Sequence, residues 1–327
     1  MPNYNHLEQI QIEITTHCNA RCPGCGRNHE GGETVEYLNI HHMNTTVWQN
    51  LIADSMFQSN VKQLQFNGMF GDPMMHPKIA DMLSQLPRTI SLEFNTNGSM
   101  RTVEFWKEFG QLLSEFEHTV NFGIDGLEDT HAIHRRGTKW HKVIENCQTF
   151  NQNGGNSQWV MIVFDHNRHQ IDQCKSLSKK IGCESFILRH SYQQKLIAKN
   201  YHNDQAMTLT APSEQEVEKI HLSMSAVKHE EWDETPKSSL CEWHNDNSIQ
   251  ISADGRVWPC CVTCEEYYLK ENKDSVWSKI NINNSLTQHS LTEILTNDFF
   301  SNQIDQIWQN NQSEICVNCI KYNFVDE

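Results

Sequence analysis

The sequence predicts an α/β fold built on a parallel sheet, and three observations carry that expectation. Short β-rich runs recur at 9–15, 61–67, 89–95, 118–124, 158–164 and 185–189. Helical patterns lie between them, at 44–58, 101–114, 140–153 and 168–181, and supply the crossovers that parallel strands need. From the second run onward the starts are spaced by roughly 30 residues, the length of a βα unit. Six units fit before residue 192, and the first interval is longest because a cysteine-rich loop separates the first strand from its helix. A doubly wound open sheet shares this local pattern and is the competing architecture.

Beyond the sixth unit the pattern changes. Residues 191–240 read as a polar, helical connector, with a helix starting after Thr210-Ala-Pro212-Ser-Glu. Pro212 suits a first helical turn, where its missing N–H costs nothing. The runs 248–252 and 256–258 flank Ala253-Asp254-Gly255 as a hairpin, and 290–310 reads as a helix ending before Cys316. A chain of 327 residues exceeds the size at which one core stops growing, so a large domain and a smaller one are expected.

Charge and apolar content narrow the function. Lys and Arg number 26 against 41 Asp and Glu, a net charge of −15 that repels phosphate backbones, so nucleic acid is not the expected partner. The longest apolar run, 159–164, falls far short of the ~20 residues a membrane span requires. The start, Met-Pro-Asn-Tyr-Asn-His, lacks the basic and apolar regions of a signal peptide, so a cytoplasmic location is expected. Twelve cysteines in that compartment argue for metal or redox chemistry over disulfides.

Cys18, Cys22 and Cys25 stand in one tight loop, Thr-Thr-His-Cys-Asn-Ala-Arg-Cys-Pro-Gly-Cys-Gly-Arg. Three thiolates can reach three corners of an iron–sulfur cube and leave one iron open to another ligand. The alternative is zinc, which closes a tetrahedron with four protein ligands and would recruit His17 or His29. Cys241, Cys260, Cys316 and Cys319 form a second set, able to close around one centre entirely with protein ligands. A four-cysteine zinc site would use the same ligand types. Cys261 and Cys264 are spare and could replace Cys260, while Cys147, Cys174 and Cys183 read as buried, inert thiols.

The first spacing resembles the radical S-adenosylmethionine (SAM) enzymes. The Cys241…Gly255…Cys260 spacing resembles the SPASM/Twitch extension of that superfamily. The resemblance implies a partial (β/α)6 TIM-like barrel over 1–192, a helical connector over 193–239 and a small cluster-binding domain over 240–327. It also implies the cofactors: a SAM-binding [4Fe–4S] cluster, an auxiliary [4Fe–4S] cluster of the single-cluster Twitch type, and SAM. In such enzymes an electron from the reduced cluster cleaves SAM, and the 5′-deoxyadenosyl radical abstracts a substrate hydrogen. One departure is Gly24, which stands where many members carry an aromatic residue against the adenine.

Further segments carry the resemblance residue by residue. Gly68-Met-Phe-Gly71-Asp72-Pro-Met-Met-His-Pro77 is similar to the family's Gly-Glu-Pro-Leu-Leu-His-Pro motif, which implies a role for Gly71 and Asp72 at the SAM ammonium. Asn95-Thr-Asn97-Gly resembles the segment after the third barrel strand, and both amides suit ribose hydroxyls or a carboxylate. An Asx turn is the alternative for Asn97. Gly123-Ile-Asp125-Gly126, followed by His134-Arg135-Arg136-Gly137, resembles the Ser-Ile-Asp-Gly…Arg-Gly stretch. That likeness implies a SAM carboxylate contact for Arg136 and a cofactor role for Asp125; Gly123 replaces the serine, and Arg135 reads as a solvated surface charge.

Glu13, Arg189, His190 and Tyr192 lie near strand ends, where barrel sites form, and are the candidate catalytic residues. The resemblance implies a peptide, protein or small-molecule substrate, the last a cyclitol-type alcohol, and an electron donor such as flavodoxin or ferredoxin. Only seventeen residues precede Cys18, which weighs against a leader-peptide domain. A non-catalytic zinc scaffold is the reading from a different class.

Overall fold

The structure is a computed structural model, and it describes residues 4–191, 193–224, 243, 246–269 and 283–309. Six parallel strands carry the frame: β1 (Gln9–Ile12), β2 (Gln63–Phe66), β3 (Ser91–Thr96), β4 (His118–Gly123), β5 (Ser157–Ile162) and β6 (Ser185–Arg189). They lie side by side in chain order, each paired in parallel with the next. A doubly wound sheet reverses its strand order at a switch point. This sheet never reverses between β1 and β6, so the winding is that of a partial TIM-like barrel.

Two more strands extend the sheet on the free edge of β1. β7 (Lys195–Ala198) and β8 (Met207–Thr210) form a separate antiparallel pair, whereas β9 (Ser248–Ile251) runs parallel to β1 and β10 (Val257–Trp258) folds back on β9. The Ala253-Asp254-Gly255 hairpin is therefore present, with Gly255 at φ +83°. The β7/β8 hairpin replaces part of the all-helical connector expected from sequence. Its few inward apolar residues, Leu196 and Leu209, pair across the strands and pack with Phe164 and Ala211. The connector helix follows at Glu214–Met224.

The crossover helices fall close to their expected places, with informative breaks. The helix expected over 44–58 is two, α1 (Thr45–Ala53) and α2 (Ser55–Asn60), because Asp54 turns extended and caps α2 through Met56 N. The stretch 290–310 divides likewise into Leu291–Thr296, opened by a Ser290/Glu293 capping box, a π-helical turn Phe299–Gln303 and Ile304–Gln309.

Strand alternation decides where the core sits. Along β1 to β4 the residues Ile10, Ile12, Leu64, Phe66, Leu92, Phe94, Val120 and Phe122 are buried in one cluster with Trp48, Phe57, Trp106, Phe109 and Phe150 from the helices. Phe66 and Phe94 stack at 4.6 Å, and Phe94 meets Phe109 edge-on at 5.6 Å. Because successive side chains point to opposite faces, the intervening Gln9, Gln11, Gln63, Gln65, Ser91, Glu93 and Asn121 line the inner face.

Candidate active site

The loops after β1 and β2 and the ends of β3 to β6 border a cavity of about 1060 Å³. That exceeds the ~300–1,000 Å³ of ordinary small-molecule pockets. Cys18, Cys22 and Cys25 line it together with Gly71, Asp72, Asn95, Asn97, Arg189 and His190. Sequence positions as far apart as 18 and 190 thus meet at the carboxyl end of a barrel sheet, where βα loops build active sites.

The cysteine loop is held from several sides. Arg27, itself buried, donates to Thr16 O (2.5 Å) and Phe70 O (2.7 Å), tying the loop to the turn after β2. In that turn a Cβ on Gly71 would lie 1.8 Å from Thr15 O, so only glycine permits the approach. Glu13 Oε1 accepts from Phe70 N (2.6 Å) and Gly71 N (2.9 Å). Burial pushes Glu13 up to about 7 against those two hydrogen bonds. Glu13 lies beneath the turn, facing a second cavity of about 310 Å³ that Asp254 and Tyr268 also line.

Asp72 and Asn97 interlock. Asp72 accepts from Met74 N, Thr96 Oγ1, Asn97 N and Asn97 Nδ2 at 2.6–3.0 Å. Asn97 Nδ2 also donates to Asn19 Oδ1 (2.9 Å) and lies 3.8 Å from Cys18 Sγ. The pair fixes the end of β3 against the first cysteine.

The structure places both arginines differently from the sequence reading, and both are held inside the protein. Arg136 is off the cavity; its guanidinium donates to Lys199 O (2.5 Å) and Gln205 O (2.6 Å), anchoring the β7/β8 hairpin. Arg135, read from sequence as a surface charge, lines the cavity and donates from Nε to Asp125 Oδ2 at 2.6 Å. Asp125 is wholly buried behind it, bonded also to His134 Nδ1 (2.7 Å) and Ile162 N (2.7 Å). Burial opposes ionisation of Asp125, but Arg135 and His134 outweigh it and hold the carboxyl below its usual range. A Cβ on Gly123 would sit 2.7 Å from Arg135 Nη2, so the glycine in place of a serine makes room for the guanidinium.

The hairpin explains the second departure. Gly24 has φ +84°, and a Cβ there would lie 2.8 Å from Leu196 Cδ2. Leu196 is also on the cavity wall. The hairpin is latched to the cysteine loop by an Arg21–Asp204 ion pair (3.0 Å), a Lys199–Glu30 ion pair (2.9 Å) and Lys199 N donating to Glu30 O.

The donor set fits the cofactor the motif implies. The three thiols are free and partly exposed, and all face one cavity. Burial pushes the Cys22 thiol up to about 11, with Arg135 pulling against it, and pushes Cys18 and Cys25 up as well. Thiolates here need compensating positive charge, which iron supplies and the arginines supplement. In the second set Cys260 is described, at the start of helix Cys261–Leu269, with Cys264 buried one turn on. Cys241, Cys316, Cys319 and Tyr192 lie outside the described residues.

Comparison with known proteins agrees with this geometry. The radical SAM superfamily model matches residues 12–175 and the SPASM iron–sulfur cluster-binding model matches 241–320. The tungsten-containing aldehyde ferredoxin oxidoreductase cofactor-modifying protein of Pyrococcus furiosus is 22% identical over 311 residues, 90% of this chain and 82% of the relative. Among solved structures, Streptococcus suis SuiB bound to S-adenosylmethionine superposes with TM-score 0.58 at 12% identity, covering 90% of this chain and 67% of SuiB. SuiB bound to its precursor peptide SuiA gives the same score. Native anSMEcpe with bound AdoMet and Cp18Cys peptide gives 0.56 at 14% identity, covering 89% and 81%.

The chain belongs to the radical SAM superfamily and carries a C-terminal SPASM domain. It is a radical SAM enzyme whose cofactors are a SAM-binding [4Fe–4S] cluster, auxiliary iron–sulfur clusters and SAM. These matches set aside zinc in the cysteine sets. Among the described residues no helix is long and apolar enough to cross a membrane.

Sequence reasoning missed Arg135, Leu196, Arg27 and the inner-face residues Glu93 and Asn121. The alternation of Gln, Asn and Glu with Ile, Leu and Phe in the first four strands was the available signal for the last two.

Proposed function

We propose that this chain is a radical SAM oxidoreductase that abstracts a hydrogen atom from a peptide, a protein or a small polar substrate and oxidises or cross-links it. The observation that carries the reading is the cavity shared by Cys18, Cys22, Cys25, the turn after β2 and the ends of β3 to β6. Cys18, Cys22 and Cys25 would hold the cluster. When bound, the cluster and SAM supply a 5′-deoxyadenosyl radical, and the protein supplies position and exclusion.

This chain's residues divide that task. Arg135, oriented by Asp125, offers the SAM carboxylate a guanidinium beside Cys22, the role first read for Arg136. Leu196 gives the adenine an apolar wall where Gly24 offers none. Asp72 and Gly71 shape the turn that faces the ammonium group. Arg189 and His190, on the cavity wall at the end of β6, are placed to meet substrate. Cys241, Cys260, Cys316 and Cys319 would hold the auxiliary cluster, which would take up the electron that the substrate gives up after losing its hydrogen atom, while the electron that reduces the SAM-binding cluster would come from a flavodoxin or ferredoxin.

A peptide substrate is supported by the peptide-bound structures of SuiB and anSMEcpe. Dehydrogenation of a cyclitol-type alcohol is the second reading, favoured by the amide-lined inner face of β1 to β4. Deuterated peptides and polyols incubated with reduced holoenzyme and SAM test the two. Label in 5′-deoxyadenosine from one class identifies it, and no label from either, while 5′-deoxyadenosine still forms, contradicts both.

A further inference from the structure

Below the cysteines, the inner face of β3 and β4 presents one buried hydrogen-bond acceptor that has no partner among the described residues, with an exposed amide beside it. Asn95 and Asn121 are register partners on neighbouring strands, and both line the cavity. Asn121 is 5% exposed, and its Nδ2 donates to Glu93 Oε1 at 2.9 Å. A carboxylate only accepts, so the amide must turn its NH₂ toward Glu93 and its oxygen away. That oxygen, Asn121 Oδ1, is buried without a partner among the described residues. Asn95 is oriented in the same sense: its Nδ2 donates to Asn67 Oδ1, and Asn67 Nδ2 donates in turn to Gln65 Oε1 (3.4 Å). The carboxylate thus turns the Asn121 oxygen away from Glu93, and the all-amide relay from Gln65 through Asn67 sets Asn95 beside it on the wall of the same chamber.

A buried acceptor left unsatisfied costs about 1–3 kcal/mol, and a site built to hydrogen-bond a donor discriminates strongly against molecules that lack one. Glu93 behind the pair adds negative potential next to the two amides, which disfavours a carboxylate or phosphate at that spot, whereas Arg135 and Arg189 line the cavity from the loop after β4 and from the end of β6. We infer that Asn95 and Asn121, oriented by Asn67 and Glu93, form the substrate subsite and select a donor-bearing group, a hydroxyl or an ammonium, over an anionic or acceptor-only one. The inference deepens the radical SAM reading and rests on it, since it takes this cavity as the substrate chamber.

The test uses anaerobically reconstituted, SAM-loaded protein and calorimetric titration with four small probes. Myo-inositol carries only hydroxyls, 1,3-diaminopropane only ammonium groups, glutarate only carboxylates, and 1,2-dimethoxyethane only neutral acceptors. Binding of myo-inositol or 1,3-diaminopropane, but not of the other two, is expected, and the better of the two arms tells hydroxyl from ammonium. Asn121→Leu should weaken that binding about tenfold, the scale of one buried neutral hydrogen bond. Asn95→Ala, at an exposed position that tolerates truncation, should weaken it as well, with circular dichroism reporting the fold of both variants. Equal binding of glutarate or dimethoxyethane, binding by neither donor probe, or donor binding unchanged in both folded variants overturns the inference. Formation of 5′-deoxyadenosine by the same preparation reports separately on the radical SAM reading.

Discussion

The two faces of strands β1 to β4 differ as sharply as a core and an active site can. One face carries Ile10, Leu64, Phe94 and Phe122 into an aromatic core against the helices. The other, one residue away along each strand, carries Gln11, Gln65, Glu93 and Asn121, with Gln11 opposite Gln65 and Gln65 opposite Glu93 in register. A period of two lets one short strand hold the fold with alternate residues and display chemistry with the rest. Stability and function are therefore separable by single substitutions only a peptide unit apart.

The largest separable effect belongs to the outer face. Phe94→Ala removes a fully buried ring that stacks on Phe66, and should cost about 3–5 kcal/mol in urea unfolding of the intact chain. Gln65→Ala on the inner face should cost less than about 1 kcal/mol. Equal losses at the two positions would erase the distinction between the faces.

Glu13 tests the boundary between them, since it extends β1 yet holds the turn that shapes the cavity. Its folded value of about 7 lies above the ordinary 4.5, so the folded protein keeps a proton that the unfolded chain releases. Its contribution is complete below about pH 4.5 and is lost as pH rises to about 7. Relative to Glu13→Gln, which can still accept from Phe70 N and Gly71 N, the natural protein should lose about 3 kcal/mol across that window. Parallel stability curves for the two proteins would contradict the burial argument.

A smaller effect is expected at the hairpin. Leu196→Ala strips the apolar wall beside Gly24 and should weaken SAM binding to reconstituted protein about tenfold, roughly the part of a leucine's ~1.5–3 kcal/mol burial that a ligand would cover. Equilibrium dialysis under anaerobic conditions measures it; unchanged affinity would place the adenine elsewhere.

Most of the fold was legible because local signals and tertiary demands agree in this chain. All six barrel strands lie within the runs expected or a residue or two from them, since β-rich runs alternate with amphipathic helices. The β7/β8 hairpin was not legible: Lys195–Ala198 and Met207–Thr210 are only four residues each, and the hairpin is held by ion pairs and hydrogen bonds to residues 21, 30 and 136. Cys18, expected from its spacing, and Asp72 and Asn97, expected from the family resemblance, line one cavity. Which of two adjacent arginines faces the cavity was beyond sequence, because a one-residue offset in the short helix His131–His134 and its cap decides it. Only Gly123, a small residue where a side chain was expected, hinted that another group occupied the space.

The central claim is that three thiolates hold a cluster with one iron open to SAM. The direct measurement is 5′-deoxyadenosine formation by anaerobically reconstituted protein given reductant and SAM, alongside Cys18→Ala, Cys22→Ala and Cys25→Ala variants. The account predicts product from the natural protein and none from any of the three variants. Absence of product from protein shown to hold iron on all three cysteines, or undiminished product from a variant, would contradict it.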